Sequence, residues 1–335
     1  MFPTIWRRTA LHLPSRYFAT SSKPPANLVS LLRKQTNAPL SKIIKALSHS
    51  NNSIPAALDW LSHDALASGT AKAAKLDRVA AEGVIYSITP STLIKGRGVR
   101  GILVEVNSET DFAIRGPLFQ AFVKRAAVTG VMFGESLAGV VGFGSTTCLH
   151  DVDARRLLDA PAFPLPDSPA IEDNTPLKDL LATLIGTIGE RVTLRRACIA
   201  LPPPRIAASD PLTIVSSYIH TLPGSDMGRM GAMVVLAARE AVHKTGNVDG
   251  GVVDEIERFG KRLAQHVTGF NPLTVDGLLE QEFLFGGGMV KDVVAEMEVA
   301  KGVRVEVVDF VRYECGEGIE KVEKNFAEEV QKQLE

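Results

Sequence analysis

The chain has 335 residues, more than one ordinary domain needs, which predicts two or three compact units. A hydrophobic fraction of 45% suits packed cores, and 37 basic against 38 acidic residues leave almost no net charge, which argues against a general nucleic-acid binder. No apolar run approaches the roughly 20 residues of a membrane-spanning helix. The three separated cysteines, Cys148, Cys198 and Cys315, make neither a disulfide framework nor a closed zinc site, and read as reduced thiols.

Residues 1–22 are a different kind of sequence. Arg7, Arg8 and Arg16 stand among Phe2, Ile5, Trp6, Leu11, Leu13, Tyr17 and Phe18, and the first acid of the whole chain is Asp59. A basic, amphipathic, acid-free leader has the composition of a mitochondrial or plastid transit peptide, and is excluded from the fold. The stretch Arg16 to Thr20 resembles a matrix-protease cleavage site.

After Pro24-Pro25 the pattern becomes helical. Leu28, Leu31 and Leu32 share one face; Ile43, Ile44 and Leu47 make a second, with Ser41 as a candidate cap; Pro55 leads a third with Leu58, Trp60 and Leu61. Three short helices over 23–64 predict a small bundle of the docking kind. The stretch 65–82, rich in Ala and Lys, predicts a solvent-washed connecting helix. Strands are expected at Val84–Ile88 and Gly101–Val106, with a turn at Gly96-Arg97-Gly98. Polar Asn107 to Asp111 ends the second strand, and Gly116-Pro117 opens a helix carrying Phe119, Phe122 and Val123. A Pro-rich loop at 161–176, a helix at Leu177–Ile188 and a strand at Arg191–Ile199 follow.

The order then repeats loosely. Strands are expected at Thr213–Ile219, at Ala232–Leu236 after a turn at Gly228 to Gly231, and at Val303–Tyr313. A helix is expected at Ile256–Val267, and a charged terminal helix at Gly318–Leu334. The fold class is α+β: the N-terminal bundle, then two related core subdomains over 83–205 (with an insertion over 134–176) and 206–335, with mainly antiparallel sheets and a C-terminal helix.

No motif demands covalent chemistry. There is no phosphate-binding P-loop, and Gly286-Gly287-Gly288 lacks the lysine one requires. No nucleophile elbow, zinc-protease helix or His/Cys cluster occurs, so no catalytic residue, cofactor or metal is assigned. Glu109 and Asp111 lie close enough for acid/base work, but acids between a strand and a helix usually serve as caps.

Gly101 to Phe112, followed by Phe119 to Phe122, closely resembles the elongation factor Ts family. Four further segments match it in order. These are Leu28–Leu61, similar to its N-terminal ubiquitin-associated-like (UBA-like) module; Gly189 to Arg196; Ser217 to His220 with Gly228 to Gly231; and Phe310 to Val322. Two departures stand out. Ala113 replaces the valine that usually follows Phe112, and the helical hairpin of bacterial members is missing between Val267 and Leu278.

The resemblance implies a guanine nucleotide exchange factor of organellar translation. It would bind elongation factor Tu in its GDP form and promote GDP release without breaking a bond, by linkage between two binding events. Thr110, Asp111, Phe112 and Ala113 would enter the GTPase near its magnesium site, with Asp111 and Phe112 disturbing it. His220, Gly228, Arg229, Phe326 and Val330 would add contacts. No direct nucleic-acid or membrane contact is implied. The shortened hairpin favours the mitochondrial matrix over a plastid. The competing readings are a ubiquitin-like-binding adaptor without exchange activity, and a hydrolase using Glu109 and Asp111.

Overall fold

The computed structural model describes residues 23–36, 38–73, 79–89, 100–138, 148–165, 171, 174–201, 210–240 and 250–320. The expected leader, the turn at Gly96 to Gly98 and the terminal helix with Phe326 and Val330 lie outside them, except that residues 318–320 are described and are not helical. The chain divides into two compact units, up to His63 and from Asp64 on.

The first unit begins with α1 (Ala26–Thr36) and α2 (Leu40–His49) and takes in the start of α3 (Ile54–Ala73). Each helix turns one of two adjacent apolar residues inward: Leu32, Ile43 and Ala57 are buried, while Leu31, Ile44 and Leu58 remain exposed. Asn51 and Asn52 take left-handed conformations after α2, which asparagine tolerates better than most residues. The candidate cap Ser41 lies inside α2, whose cap position is Pro39. The third helix of the bundle and the expected connecting helix form one element, since α3 runs unbroken for 20 residues. Its Ala-rich end is solvent-washed on one face only: Ala67, Thr70, Ala71 and Ala73 are exposed, while Ala65 and Gly69 are buried. From Asp64 on it belongs to the second unit, where a Cβ on Gly186 would stand 2.0 Å from the Ala65 carbonyl oxygen. Small residues there allow close helix contact.

The second unit holds strands β1 (Glu82–Ile88), β2 (Gly101–Ser108), β3 (Leu149–Val152), β4 (Val192–Ala200), β5 (Leu212–Thr221), β6 (Gly228–Glu240) and β7 (Val303–Glu314). Two sets share one plan. β1 and β2 pair and β4 lies on the far side of β2; β5 and β6 pair and β7 lies on the far side of β6; all these pairings are antiparallel. The two subdomains are therefore related as expected, but their strands join into one seven-stranded sheet where Ile85 of β1 meets Gly228 of β6.

Strand alternation explains the layers. Ile102, Val104 and Val106 of β2 pack on one face with helices α4 (Asp111–Ile114), α5 (Pro117–Leu137), α6 (Ala154–Asp159) and α7 (Leu177–Ile188). Ala232, Val234 and Leu236 of β6 pack with α8 (Gly250–Phe270), α9 (Val275–Leu279) and α10 (Val290–Lys301). The opposite faces meet each other: Ile85, Leu103, Cys198 and Ala200 pack with Val215, Met233, Val235 and Tyr313. This double burial is why the strands read as continuous apolar runs. All three cysteines belong to or pack on this cluster, and burial pushes the Cys198 thiol up to about 12.

The expected insertion 134–176 contributes the end of α5, edge strand β3 and helix α6. The Pro-rich loop is held by a bridge between Pro161 and Pro176. Helices α9 and α10, which the apolar pattern did not reveal, follow α8.

Candidate partner-docking site

β2 leads directly into the motif residues. Thr110 caps α4 in an extended conformation, its hydroxyl accepting from the Ala113 amide at 3.4 Å. Glu190 holds the turn from beneath. Its carboxylate accepts from the Thr110 amide at 3.1 Å, the Thr110 hydroxyl at 2.8 and 2.9 Å, and the Ser108 hydroxyl at 3.2 Å. Glu109 reciprocates by accepting from the Arg191 amide at 2.8 Å. Each chain segment thus supplies a carboxylate to the other's backbone, and charge-assisted hydrogen bonds of this kind are the strong ones.

Glu190 reaches its place because α7 ends at Gly189, which caps the helix at φ +81°. That left-handed conformation suits glycine, and it turns the chain into β4, where Val192 pairs with Ser108.

The clamp sets α4 facing outward. Ile114 is buried and Phe112 is 81% exposed, so Phe112 is not a core staple between strand and helix. Asp111, partly exposed, pairs with Arg115, largely in solvent, at 3.2 Å, where such a pair contributes little. Ala113 is half-buried and its carbonyl accepts from the Gly116 amide at 3.0 Å. Glu109 and Asp111 therefore have separate structural partners.

The second motif lies in the other subdomain. Gly228 to Gly231 is not a turn before a strand but the beginning of β6. A Cβ at Gly228 would stand 2.0 Å from the His220 carbonyl oxygen, so only glycine fits there. His220 is exposed at the end of β5, its Nδ1 hydrogen-bonded to the Tyr218 hydroxyl at 3.2 Å. Arg229 pairs with Glu82 at 2.5 Å, and Glu82 stands opposite Ser108. The structure thus brings Arg229 towards the Phe112 turn and leaves His220 on its own hairpin. Sequence reasoning assigned no role to Glu190. Its signal was the Gly-Glu-Arg triplet after a helix, whose purpose emerges only when β4 is paired with β2.

Among the described residues no three His, Cys, Asp or Glu side chains come together as a metal-binding group, and no helix is long and apolar enough to cross a membrane.

Fold and site together define a two-subdomain α+β protein that presents an exposed aromatic residue on a rigid turn, a form suited to docking on another protein. No protein-family model matches the chain. It is similar to Elongation factor Ts of Azorhizobium caulinodans, 30% identical over 91% of this chain and 96% of that protein. The protein of the same name from Sphingopyxis alaskensis is 32% identical over the same shares, and that from Paramagnetospirillum magneticum 30% identical over 91% and 95%. The chain belongs to the elongation factor Ts family.

Proposed function

We propose that this protein is a guanine nucleotide exchange factor that binds elongation factor Tu in its GDP form and promotes GDP release in an organelle. The observation that carries the reading is Phe112, a large apolar side chain 81% exposed on a turn that Glu190 holds rigid. Exposing a phenylalanine is unfavourable unless a partner covers it, and a preorganised turn reduces the ordering loss on binding. Phe112 acts as a wedge and Asp111, beside it, disturbs the magnesium and phosphate site of the GTPase. Losing the metal's grip removes the largest local charge holding the diphosphate. Exchange then follows from linkage, since a factor that weakens GDP binding is itself released by nucleotide to the same degree.

The N-terminal unit adds docking area. Leu31, Ile44 and Leu58 are exposed on it, and residues 23–63 carry Lys23, Arg33, Lys34, Lys42 and Lys45 against the single acid Asp59. Such a surface favours an acidic partner with apolar contacts. The leader composition supports an organelle, mitochondrion or plastid, and the shortened hairpin favours the mitochondrial matrix. Sequencing the N-terminus of the mature protein checks this, and a mature chain that keeps Met1 would overturn it.

The deciding experiment is release of a fluorescent GDP analogue from purified organellar elongation factor Tu, with the protein and with Phe112→Ala. Strong acceleration by the first, largely lost in the second, is the expected result. No acceleration by either folded protein would discard exchange on this partner and leave the ubiquitin-like-binding adaptor as the reading to test.

A further inference from the structure

The chain between β5 and β6 belongs to the second subdomain by sequence, yet it is fastened to the first. Its turn is fixed locally. Ser225 donates its amide to the Leu222 carbonyl at 3.0 Å across Pro223 and Gly224, and Gly224 has φ +74°. Proline followed by a left-handed glycine suits a type II turn. The Ser225 hydroxyl accepts from the Met227 amide at 3.2 Å, and the Leu222 amide donates to the Met227 carbonyl at 2.8 Å.

The residues from Asp226 to Arg229 then all engage the first subdomain. Asp226 pairs with Lys124 of α5 at 2.7 Å. Met227 has no exposed surface and belongs to the same core cluster as Val84 of β1 and Phe119, Phe122 and Val123 of α5. Gly228 pairs with Ile85 of β1. His220 faces Met230 while Thr221 faces Gly228, so Arg229 is the extra residue of a bulge, aimed at Glu82 of β1. Both ion pairs are partly exposed and hold little. The buried Met227 side chain is the anchor.

His220 is tied to that anchor. Its carbonyl lies so close to Gly228 that a Cβ there would collide with it. On the other side, α5 opens at Pro117, just after the Phe112 turn. β5 and β6 already pair along the whole length of β5, so the hairpin can close without its tip entering the first subdomain. Seating Met227 there fixes where the hairpin points. We propose that Met227 is a positioning residue for nucleotide exchange: it holds His220 at a set place relative to Phe112, so that both meet one partner in a preorganised geometry. With no exposed surface, Met227 itself touches no partner. The inference rests on the exchange reading and adds to it the residue that joins its two motifs.

The test measures release of a fluorescent GDP analogue from purified organellar elongation factor Tu, per folded molecule of the whole chain. The proteins compared are the parent, Met227→Ala, Met227→Leu, His220→Ala, Phe112→Ala, and Met227→Ala combined with each of the last two. Met227→Ala should slow release by about tenfold, as when an interface loses one anchor. Met227→Leu keeps the volume and should stay within about twofold of the parent. His220→Ala should slow the parent by about fivefold. In the Met227→Ala background it should add less than about twofold, because the histidine is already displaced. Phe112→Ala should lower the rate by the same factor in both backgrounds, since Glu190 clamps its turn independently. A residue that only stabilised the fold would let His220→Ala act in full in either background. That outcome, an unslowed Met227→Ala, or a silent His220→Ala in an active parent, would overturn the proposal and leave the exchange reading standing. If Met227→Ala does not unfold cooperatively in urea, Met227→Val decides by the same criteria. A folded parent that accelerates nothing would remove the exchange reading and the positioning role with it.

Discussion

The two subdomains are built on one plan and differ in their middle strands. β2 and β6 each lie between two antiparallel neighbours, and each pairs across a bulge with the third strand of its set, at Glu105/Val106 and at Val235/Leu236. Beyond that point β6 is apolar from Leu236 to Ala238, all buried. β2 instead carries Glu105, Asn107 and Ser108, buried and polar, and runs straight into the exposed turn. Apolar burial alone therefore suffices to close the sheet in the second subdomain. Glu105 and Ser108 of the first serve geometry, holding a chain end and a turn that burial would leave loose, while the Asn107 side-chain amide has no hydrogen-bond partner among the described residues.

The largest effects should come from the outer cores, where the halves are alike. Phe119→Ala in the first and Leu236→Ala in the second should destabilise by about 3–5 and 2–5 kcal/mol respectively, read from urea unfolding. Because the halves share a sheet and an inner cluster, each change should shift one common transition; two separated transitions would break the comparison. Next comes Phe112→Ala. It should leave stability within about 0.5 kcal/mol, as for exposed sites, yet reduce exchange by roughly 30-fold if the side chain is an interface anchor. Phe112 and Phe119 thus separate docking from folding within eight residues of chain.

Glu190→Ala should destabilise by about 1–3 kcal/mol, since Ser108 and Thr110 lose their acceptor, and should weaken exchange beyond that by loosening the turn. Thr110→Ala removes the cap and should have a smaller effect, about 1 kcal/mol. The smallest effect is a pH dependence in the second subdomain. His266 is fully buried, accepts the Leu284 amide on Nδ1 at 3.2 Å and hydrogen-bonds Gln281 through Nε2 at 3.0 Å. Burial disfavours its charged form and holds its pKa below the ordinary 6.5. The unfolded chain therefore takes the proton first. Stability is full above about 6.5 and is lost as pH falls below it, and His266→Gln should flatten that slope in acid-unfolding curves.

Much of this architecture is legible in the amino-acid sequence. The helices of the first unit, the strands of both subdomains and the helix carrying Phe119 follow from apolar spacing and from Pro and Gly breaks, which act locally. The motif around Phe112 is legible as a resemblance. Misreadings arise where neighbours override local pattern. The Ala-rich end of α3 looks wholly solvent-washed because its partner, α7, lies more than a hundred residues away. Helices α9 and α10 escape because one is short and the other buries little besides Val290.

The sequence by itself determined the element types, the split into a small helical unit and a paired core, and the family, because these rest on local periodicity and ordered motifs. Only the tertiary structure decided that Phe112 faces solvent while Phe119 does not, that Glu190 grips Thr110, and that Glu105 gathers two adjacent arginines. Each of those outcomes depends on the register of β2 against β4, strands about 90 residues apart whose pairing no local pattern encodes.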